Sequence, residues 1–468
     1  MMHPYPMLIG GEFVAGDRKL EVVNPATEEV FVTSGAASEA QFIQAIAAAK
    51  AAFPAWSVST MDERRALLVK LADGMEARVD EMARLLTSEQ GKPLPEATGE
   101  IQYAIGFIRY FATLDLPVEV IEDSDTRRVE AHRKPLGVVG AIVPWNFPIL
   151  IVAFKLPLAL LAGNTVVLKP AATTPLTTLL LGEICKDIFP AGVVNVVADL
   201  NDLGGLLSSH PDVAKISFTG STETGRKVMS AAAATIKRIT LELGGNDAAI
   251  VLEDADPKKA AAGIYAGAFF NAGQVCIALK RAYVHEGIYD ALCDELAQLA
   301  NAAVVDDGLK QGATIGPIQN KVQYDKVLEF LADAHDSGTV IAGGNALERA
   351  GYFVQPTIVR DISDGTKLVD EEQFGPILPV IKYSDPLDAL ARANASPYGL
   401  GASVWGTDVT KAYEIAQQME AGTVWINQHL NFGPNIPFGG AKQSGLGTEF
   451  ADEGLHEFTQ LRVVNMAK

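Results

Sequence analysis

The spacing of apolar residues changes several times along the chain. Residues 8–35 hold short apolar runs interrupted by glycine and proline, a pattern typical of strands joined by tight turns. Between residues 38 and 112, apolar and charged residues alternate at three- and four-residue spacing, as in Ala40–Ala52 and Asp62–Leu86, which predicts amphipathic helices. Residues 117–135 then predict two strands around a polar turn, and we expect them to form a protruding arm.

Short apolar strands and helices alternate in the next part of the chain. The predicted strands are Gly137–Pro144, Thr165–Lys169, Val193–Val197, Lys215–Thr219 and Ile239–Leu243, and the predicted helices are Ile151–Leu161, Pro175–Ile188, Leu203–Ser209 and Ser221–Ala234. Alternation of this kind indicates a parallel, doubly wound sheet, in which ligands lie beyond the carboxyl ends of the strands. The most apolar segment, Phe147–Ala162, is shorter than a membrane span of about 20 residues and predicts a buried helix.

The alternation starts again after Gly244-Gly245. The predicted elements are the strands Ala248–Leu252 and Ala282–His285 and the helices Pro257–Phe270 and Tyr289–Ala302. We therefore expect a second α/β domain, with the boundary between the two domains near these glycines.

Composition narrows the function classes. Of 468 residues, 48% are apolar and 20% charged, which is typical of a globular protein long enough for two or more domains. The formal net charge of −19 repels phosphate groups, so we expect neither nucleic acid nor a membrane as a partner. The three cysteines, Cys185, Cys276 and Cys293, lack the paired spacing of a disulfide framework or a metal site. Residues 1–6 show no secretion signal, and we expect a cytoplasmic location.

Four stretches carry residues suited to chemistry. Cys276 closely follows Gly273, where a backbone without a side chain lets another molecule approach, but free cysteines are also common as small buried residues. Asn146 lies between two aromatic residues, and its amide either caps a turn or donates to a ligand oxygen. Glu242 lies among leucines, where burial raises the pKa of a carboxyl group toward that of a general base.

The fourth stretch, around Gly220 and Ser221, is suited to binding an anion. Ser221 follows Gly220 at the start of a predicted helix, whose free N–H groups suit a phosphate, although a capped helix explains the pattern equally well. Lys169 ends a predicted strand and is either a solvated charge or a ligand of ribose or phosphate. Neither the G-x-G-x-x-G fingerprint nor a P-loop lysine accompanies these residues, so they do not establish a nucleotide site by themselves.

In their order and spacing these stretches resemble the aldehyde dehydrogenase superfamily over essentially the whole chain. The residues that carry the resemblance are Pro144-Trp145-Asn146-Phe147-Pro148, Lys169-Pro170, Phe218-Thr219-Gly220-Ser221, Leu241-Glu242-Leu243-Gly244-Gly245, Gly273-Gln274-Val275-Cys276, Glu372-Gln373-Phe374-Gly375-Pro376 and Pro437-Phe438-Gly439-Gly440. The resemblance implies that Cys276 attacks an aldehyde, that Asn146 and the Cys276 N–H bind the oxyanion, and that Glu242 activates water. Hydride would pass to a nicotinamide cofactor, and no metal is implied.

The resemblance also implies a set of cofactor ligands. Lys169 would bind the adenine ribose, Gly220 and Ser221 the pyrophosphate with Trp145 beside it, and Glu372 the nicotinamide ribose with Phe374 packed nearby. Without the resemblance, Glu372 is best interpreted as an exposed member of an acidic run.

One position departs from the family pattern. Ala172 stands where relatives that prefer NAD usually carry an acidic residue, which accepts from the ribose 2′-hydroxyl and repels a 2′-phosphate. We therefore expect the protein to use NADP as well as NAD.

The residues that match the family's aldehyde tunnel are apolar and partly aromatic: Phe147, Ile151, Phe154, Val275, Ile277, Phe432 and Phe438. Asn435 is the polar candidate, with a role in a turn equally open. Because the set contains no arginine or lysine, we expect a hydrophobic aliphatic or aromatic aldehyde rather than one that bears a carboxylate.

The resemblance implies a Rossmann-like doubly wound domain that binds NAD(P), a second α/β catalytic domain and a small β arm for oligomerisation. Residues 1–116 and 136–244 would form the first, residues 245–443 the second, and residues 117–135 with 444–468 the arm and tail. The tail is expected to pair with the arm of another subunit in a homodimer or homotetramer. Two alternatives remain open: an enzyme that transfers the acyl group to CoA, and a catalytically silent relative.

Overall fold

The computed structural model describes residues 5–468. Residues 1–4, on which part of the expectation about a secretion signal rests, lie outside the described residues. Within residues 5–468, no helix is both long enough and apolar enough to span a bilayer. The α/β fold class is confirmed, with the bounds that follow.

The helices are α1 Glu39–Trp56, α2 Met61–Glu76, α3 Val79–Gln90, α4 Leu94–Phe111, α5 Pro148–Leu161, α6 Leu176–Lys186, α7 Gly204–Ser209, α8 Thr222–Ala233, α9 Pro257–Phe269, α10 Tyr289–Asn301, α11 Lys321–Ser337, α12 Lys367–Asp370, α13 Pro386–Asn394, α14 Val409–Ala416 and α15 Ala451–Glu457. The strands are β1 Met7–Ile9, β2 Glu12–Val14, β3 Arg18–Asn24, β4 Glu29–Ala36, β5 Glu119–Asp123, β6 Arg127–Pro135, β7 Val138–Ile142, β8 Thr165–Lys169, β9 Val194–Val196, β10 Val213–Thr219, β11 Arg238–Glu242, β12 Asp247–Val251, β13 Leu279–His285, β14 Thr339–Ala342, β15 Thr357–Arg360, β16 Ile377–Tyr383, β17 Tyr398–Gly399, β18 Gly401–Trp405, β19 Thr423–Ile426, β20 Ala441–Lys442, β21 Gly445–Leu446 and β22 Thr459–Ala467.

The first large sheet has eight strands in the order β2-β1-β9-β8-β7-β10-β11-β21. Strands β7 to β11 are parallel, and their apolar side chains are buried on both faces. The chain runs from β7 to β8 and β9 on one side, then returns to β10 and β11 on the other side of β7. The order therefore reverses between β7 and β10, which is the position where doubly wound sheets open a crevice for a ligand.

The second large sheet has seven strands in the order β14-β15-β16-β13-β12-β18-β19. All are parallel to their neighbours except β14. Each large sheet has its own buried hydrophobic cluster.

Local sequence signals explain most helix boundaries. Ser38 and Thr60 each form a capping box with the residue three positions on, which fixes the starts of α1 and α2. The apolar segment predicted as one buried helix is α5, and every residue of α5 is buried. The predicted helical stretch Asp62–Leu86 is divided, because α2 ends before Ala77 and α3 starts after Arg78, whose guanidinium binds Glu81 and Glu183.

The expectation that the tail pairs with the arm of another subunit is wrong. Strand β22 pairs antiparallel with β6 of the same chain along its whole length, from Thr459 opposite Pro135 to Ala467 opposite Arg127. Asn164 explains this pairing, because its amide donates to the Phe458 carbonyl at 2.8 Å while its oxygen accepts from the N–H of Leu136 at 2.6 Å. The end of β6 and the start of β22 are thus held side by side within one chain.

Candidate active site

The candidate site lies where the two large sheets meet. Strand β11 ends at Glu242 and β12 begins at Asp247, so residues 243–246 lead the chain directly from the first large sheet into the second. The carboxyl ends of the first sheet therefore face the beginning of the parallel strands of the second. Cys276 lies in the loop that leads into β13, at this same junction.

The loop before Cys276 has a strained backbone. Asn271 and Ala272 adopt left-handed conformations with φ of 51° and 55°. Gly273 has φ of +73°, and a Cβ at this position would lie 2.4 Å from the carbonyl oxygen of Gly375. Only glycine allows this close approach, which agrees with the sequence argument for a backbone that passes near another segment.

The thiol of Cys276 is surrounded by ionisable groups. Burial raises its pKa to about 12, the charge of Lys280 opposes this rise, and Glu242, Asp247 and Glu372 add to it. The side chain is only partly exposed. With this raised pKa the thiol is protonated near neutral pH, so its attack on a carbonyl requires a base that removes the proton.

Glu242 has the environment of such a base. It is 4% exposed, and neither of its carboxylate oxygens has a hydrogen-bond partner within the described part of the chain. Burial raises its pKa well above the ordinary value, Glu449 raises it further, and Lys155 lowers it. The predicted rise in the Glu242 pKa is confirmed.

Lys155 and Glu449 form a buried ion pair behind Glu242, and sequence reasoning missed its role. Lys155 donates to Glu449 Oε1 and to the hydroxyl of Ser217, and its side chain is fully buried. A lysine in the middle of the apolar α5 was the available signal, because such a charge needs a carboxylate partner. Glu449 lies far along the chain from Lys155, so the local sequence around the lysine does not identify this partner.

Asn146 is held by its neighbours. Its side-chain amide donates to the carbonyl of Gln274 at 2.9 Å, which ties it to the cysteine loop. Its own carbonyl accepts from Lys92 Nζ at 2.9 Å, and Lys92 pairs with Glu100 at 2.5 Å. Glu100 also accepts from the N–H groups at the start of α5, so this fully buried pair fixes the segment that carries Asn146.

A cavity of about 910 Å³ opens from Cys276. All seven residues matched to the aldehyde tunnel line it: Phe147, Ile151, Phe154, Val275, Ile277, Phe432 and Phe438. Sequence reasoning missed further aromatic residues in the wall, namely Tyr103, Phe270 and Phe450. Asn435 is exposed and lies outside the lining, whereas Glu96 belongs to it. Asn146 also lines the cavity, whereas Glu242 does not.

The predicted cofactor ligands of the first sheet lie at its carboxyl edge. Lys169 ends β8, and its Nζ is 2.7 Å from Oδ1 of the fully buried Asp199. Asn201 Oδ1 accepts from both Lys169 and the N–H of Ala172, at 3.4 Å each. Asp199 and Asn201 were not recognised in the sequence, because they follow a different strand from Lys169.

The start of α8 is open. Ser221 is exposed and caps the helix by accepting from Thr224 N–H at 3.3 Å. At Gly220 a Cβ would lie 2.6 Å from the ring of Phe218, so the backbone here passes without a side chain. Free N–H groups beside the crevice fit a pyrophosphate.

Glu372 points inward, which excludes its interpretation as a fully solvated member of the acidic run. Its Oε1 accepts from Gly245 N–H at 3.0 Å. At Gly244 a Cβ would lie 2.4 Å from Glu372 Oε2, so glycine is required for this contact. Phe374 packs edge-on against Trp145, with ring centroids 5.4 Å apart. Together with Lys169 and the open helix start, these residues fit a dinucleotide.

Comparison with known proteins shows the family to which the chain belongs. The model of the aldehyde dehydrogenase family matches residues 13–464. Phenylacetaldehyde dehydrogenase of Pseudomonas fluorescens is 42% identical, over 99% of this chain and 96% of its own length. The NADP⁺-dependent succinate-semialdehyde dehydrogenase of Escherichia coli K12 is 40% identical, over 97% of this chain and 96% of its own. The NAD⁺ complex of an aldehyde dehydrogenase from Bacillus cereus superimposes with a TM-score of 0.97 at 37% identity, covering 100% of this chain and 97% of that one.

The fold and its relatives define an oxidoreductase that acts on aldehydes with NAD or NADP. The chain belongs to the aldehyde dehydrogenase family. The resemblance inferred from seven short motifs is thereby confirmed.

Proposed function

We propose that the protein oxidises hydrophobic aldehydes, aliphatic or aromatic, to carboxylic acids through a thioester on Cys276. The observation that carries this proposal is the large cavity that ends at the thiol. Its wall contains packed aromatic rings, with Phe154 and Phe450 at 4.5 Å and Phe438 and Phe450 at 5.5 Å between centroids. No arginine or lysine belongs to the lining, so a substrate carboxylate would lack a partner there.

Cys276 attacks the carbonyl carbon after its proton passes to Glu242, and a hemithioacetal forms on the sulfur. The amide of Asn146 has a second N–H besides the one that binds Gln274, and this N–H with the Cys276 N–H stabilises the oxyanion. A bound nicotinamide would supply the hydride acceptor, and loss of hydride from the substrate carbon would leave a thioester on Cys276. Once Glu242 has released the thiol proton to solvent, it removes a proton from water, whose oxygen attacks the thioester and releases the acid.

Lys169, Gly220, Ser221 and Trp145 would hold the adenosine and pyrophosphate half of the cofactor, and Glu372 and Phe374 the nicotinamide half. Two features bear on the choice between NAD and NADP. Ala172 removes a carboxylate that would repel a 2′-phosphate, while Asp199 neutralises the ammonium of Lys169 that would attract one. Because the two effects oppose each other, we propose that both cofactors are used.

The two large sheets support separate domains for cofactor binding and for catalysis. We propose that strands β1, β2 and β7–β11 of the first sheet belong to an NAD(P)-binding domain of residues 1–116 and 136–244, and the second sheet to a catalytic domain of residues 245–443; strand β21 of the tail is added to the edge of the first sheet. The β22-β6-β5 sheet would extend toward a second subunit of a homodimer or homotetramer. Its strands leave Ile121 and Val463 exposed, which are 57% and 54% accessible. Three free cysteines fit the reducing cytoplasm.

A panel of aldehydes tests the substrate class. We expect 3-phenylpropanal to be oxidised with a kcat/KM about 100-fold higher than succinate semialdehyde. This ratio corresponds to about 2.8 kcal/mol, and burial of an unpaired carboxylate costs more than the roughly 1–3 kcal/mol of an unpaired neutral polar group. A preference for the semialdehyde would refute the hydrophobic assignment.

Product analysis separates the proposal from its alternatives. Acid formation without CoA supports hydrolysis, whereas a requirement for CoA would identify an acyl-transferring enzyme. Absence of any reduced cofactor with the whole panel would identify a silent relative. Comparable kcat/KM with NAD and NADP supports dual use, and a preference for NAD of more than about a thousandfold, about 4 kcal/mol, would contradict it.

A further inference from the structure

Lys280 is a buried lysine whose contacts surround the nucleophile. It is 1% exposed and is the second residue of β13. Its ammonium donates to the carbonyls of Cys276 at 2.6 Å, Val275 at 3.0 Å and Ala278 at 3.4 Å. It also lies 3.5 Å from Oε1 of Glu372. One side chain thus connects the cysteine loop with the residue expected to hold the nicotinamide ribose.

The contact with Val275 determines how the next N–H points. The Val275 carbonyl accepts from both the Lys280 ammonium and the Ala278 N–H, each at 3.0 Å. In a trans peptide the C=O and N–H groups point in opposite directions, so the N–H of Cys276 is directed away from Lys280. Within residues 5–468 this N–H donates to no protein acceptor. A cation on the carbonyl also polarises the peptide, which strengthens its N–H as a donor.

The charge of Lys280 has a second consequence. Three carboxyl groups act on the Cys276 thiol, those of Glu242, Asp247 and Glu372, and each disfavours a thiolate. Lys280 is the cation that acts on the thiol in the opposite direction. Asp247 is itself buried, and burial raises its pKa to about 7 while Lys280 and a hydrogen bond from the Gly401 backbone lower it.

A histidine close to the loop, His429, is neutral. His429 lines the cavity and lies 3.8 Å from Asp247, and its Nε2 donates to the Ile277 carbonyl at 2.8 Å. Burial lowers its pKa to about 3, so it carries no proton charge near neutrality. It therefore cannot replace Lys280 as a counter-charge to the thiolate.

We propose that Lys280 is a positioning residue for the nucleophile, which orients the Val275–Cys276 peptide toward the oxyanion and stabilises the Cys276 thiolate by its charge. This inference rests on the proposed role of Cys276 as the nucleophile. Its two parts, orientation and charge, can be separated, because glutamine keeps an N–H donor at this position and methionine keeps neither.

The charge is tested by alkylation of the full-length protein with iodoacetamide over a pH series, without aldehyde or cofactor. Modification of Cys276 is followed by peptide mass spectrometry, which separates it from the buried Cys185 and Cys293. In both Lys280→Met and Lys280→Gln we expect a higher thiol pKa and alkylation about tenfold slower below it, which is one pKa unit. An unchanged profile in the two variants overturns the role of the charge.

The orientation is tested by the first turnover. We expect the burst of reduced cofactor to be slower in Lys280→Met than in Lys280→Gln, and equal burst rates in the two variants would overturn the orientation of the peptide. Lys321→Met removes an exposed lysine and serves as the control for a charge change elsewhere, with no effect on either measurement expected. If Lys280→Met does not fold, Lys280→Gln still decides the alkylation profile. The profile also stands apart from the proposed function, because it needs no aldehyde oxidation.

Discussion

Replacement of Glu242 by glutamine should separate acylation of Cys276 from hydrolysis. Glutamine has nearly the same shape, so packing at this 4% exposed position is kept while the base is lost. Hydroxide from the solvent can still remove the thiol proton, so the first turnover still reduces one cofactor per site, but the thioester then accumulates. The expected kinetic signature is a burst followed by a slow steady state.

The structure gives the scale of the effect. No neighbouring group can substitute for Glu242 at once, because the next carboxylate, Glu449, is engaged by Lys155. General base catalysis contributes about 10²–10⁴-fold, and each tenfold corresponds to about 1.36 kcal/mol. We therefore expect the steady-state rate to fall by about 10²–10⁴-fold, which corresponds to a rise of about 2.7–5.4 kcal/mol in the activation free energy. The wild-type rate should also fall as the pH drops through the raised pKa of Glu242, and this limb should disappear in the variant.

Stability provides the control for this variant. The folded state raises the pKa of Glu242, so its contribution to the free energy of unfolding is complete at low pH and is lost as the pH rises through the folded-state pKa. Above that pH, Glu242→Gln should have a Tm at least equal to that of the wild type. Stopped-flow fluorescence of the reduced cofactor measures the burst and the steady-state rate, and thermal unfolding measures the Tm of the variant. An unchanged steady-state rate in a folded variant would refute the assignment of Glu242 as the base.

The remaining predictions concern the nucleophile, the oxyanion and the cofactor. Cys276→Ala should fold with an unchanged circular dichroism spectrum and show no aldehyde-dependent reduction of NAD or NADP. Asn146→Ala should lower kcat by about 10²–10³-fold, or about 2.7–4 kcal/mol, with aldehyde turnover as the measurement. Ala172→Glu should raise the ratio of kcat/KM for NAD over NADP, because it adds a charge that repels a 2′-phosphate. Asp199→Asn should lower this ratio, because it frees the ammonium of Lys169. Initial rates over a range of concentrations of each cofactor check both.

Local patterns were sufficient for the elements that carry the site. The predicted strand Thr165–Lys169 has the same bounds in the structure, and the start of α8 after Ser221 differs by one residue from the prediction. These succeed because apolar runs, caps and glycines act over a few residues. The stretch Asp62–Leu86 was predicted as one amphipathic pattern, because the break at Ala77-Arg78 leaves the three- and four-residue spacing almost intact.

Partnerships between distant residues could not be predicted in this way. The Lys155–Glu449 pair joins residues that are 294 positions apart, and the Lys92 contact with Asn146 spans 54. The same limit explains the error about the tail, because a strand pattern shows that an element pairs but not whether its partner is in the same chain. Asn164 decides the pairing, and its role depends on the folded positions of Leu136 and Phe458.

The buried carboxylate at the reaction centre lacks the hydrogen bonds that a buried carboxylate elsewhere in the fold receives. Glu89 is fully buried, yet it accepts from Leu176 N–H and from both the N–H and hydroxyl of Thr177. Glu242, at the sheet junction, has no such donor within residues 5–468. A carboxylate satisfied like Glu89 would be a weaker base, because each donor stabilises its charged form. The missing partners of Glu242 therefore cost stability and at the same time maintain the basicity that hydrolysis of the thioester requires.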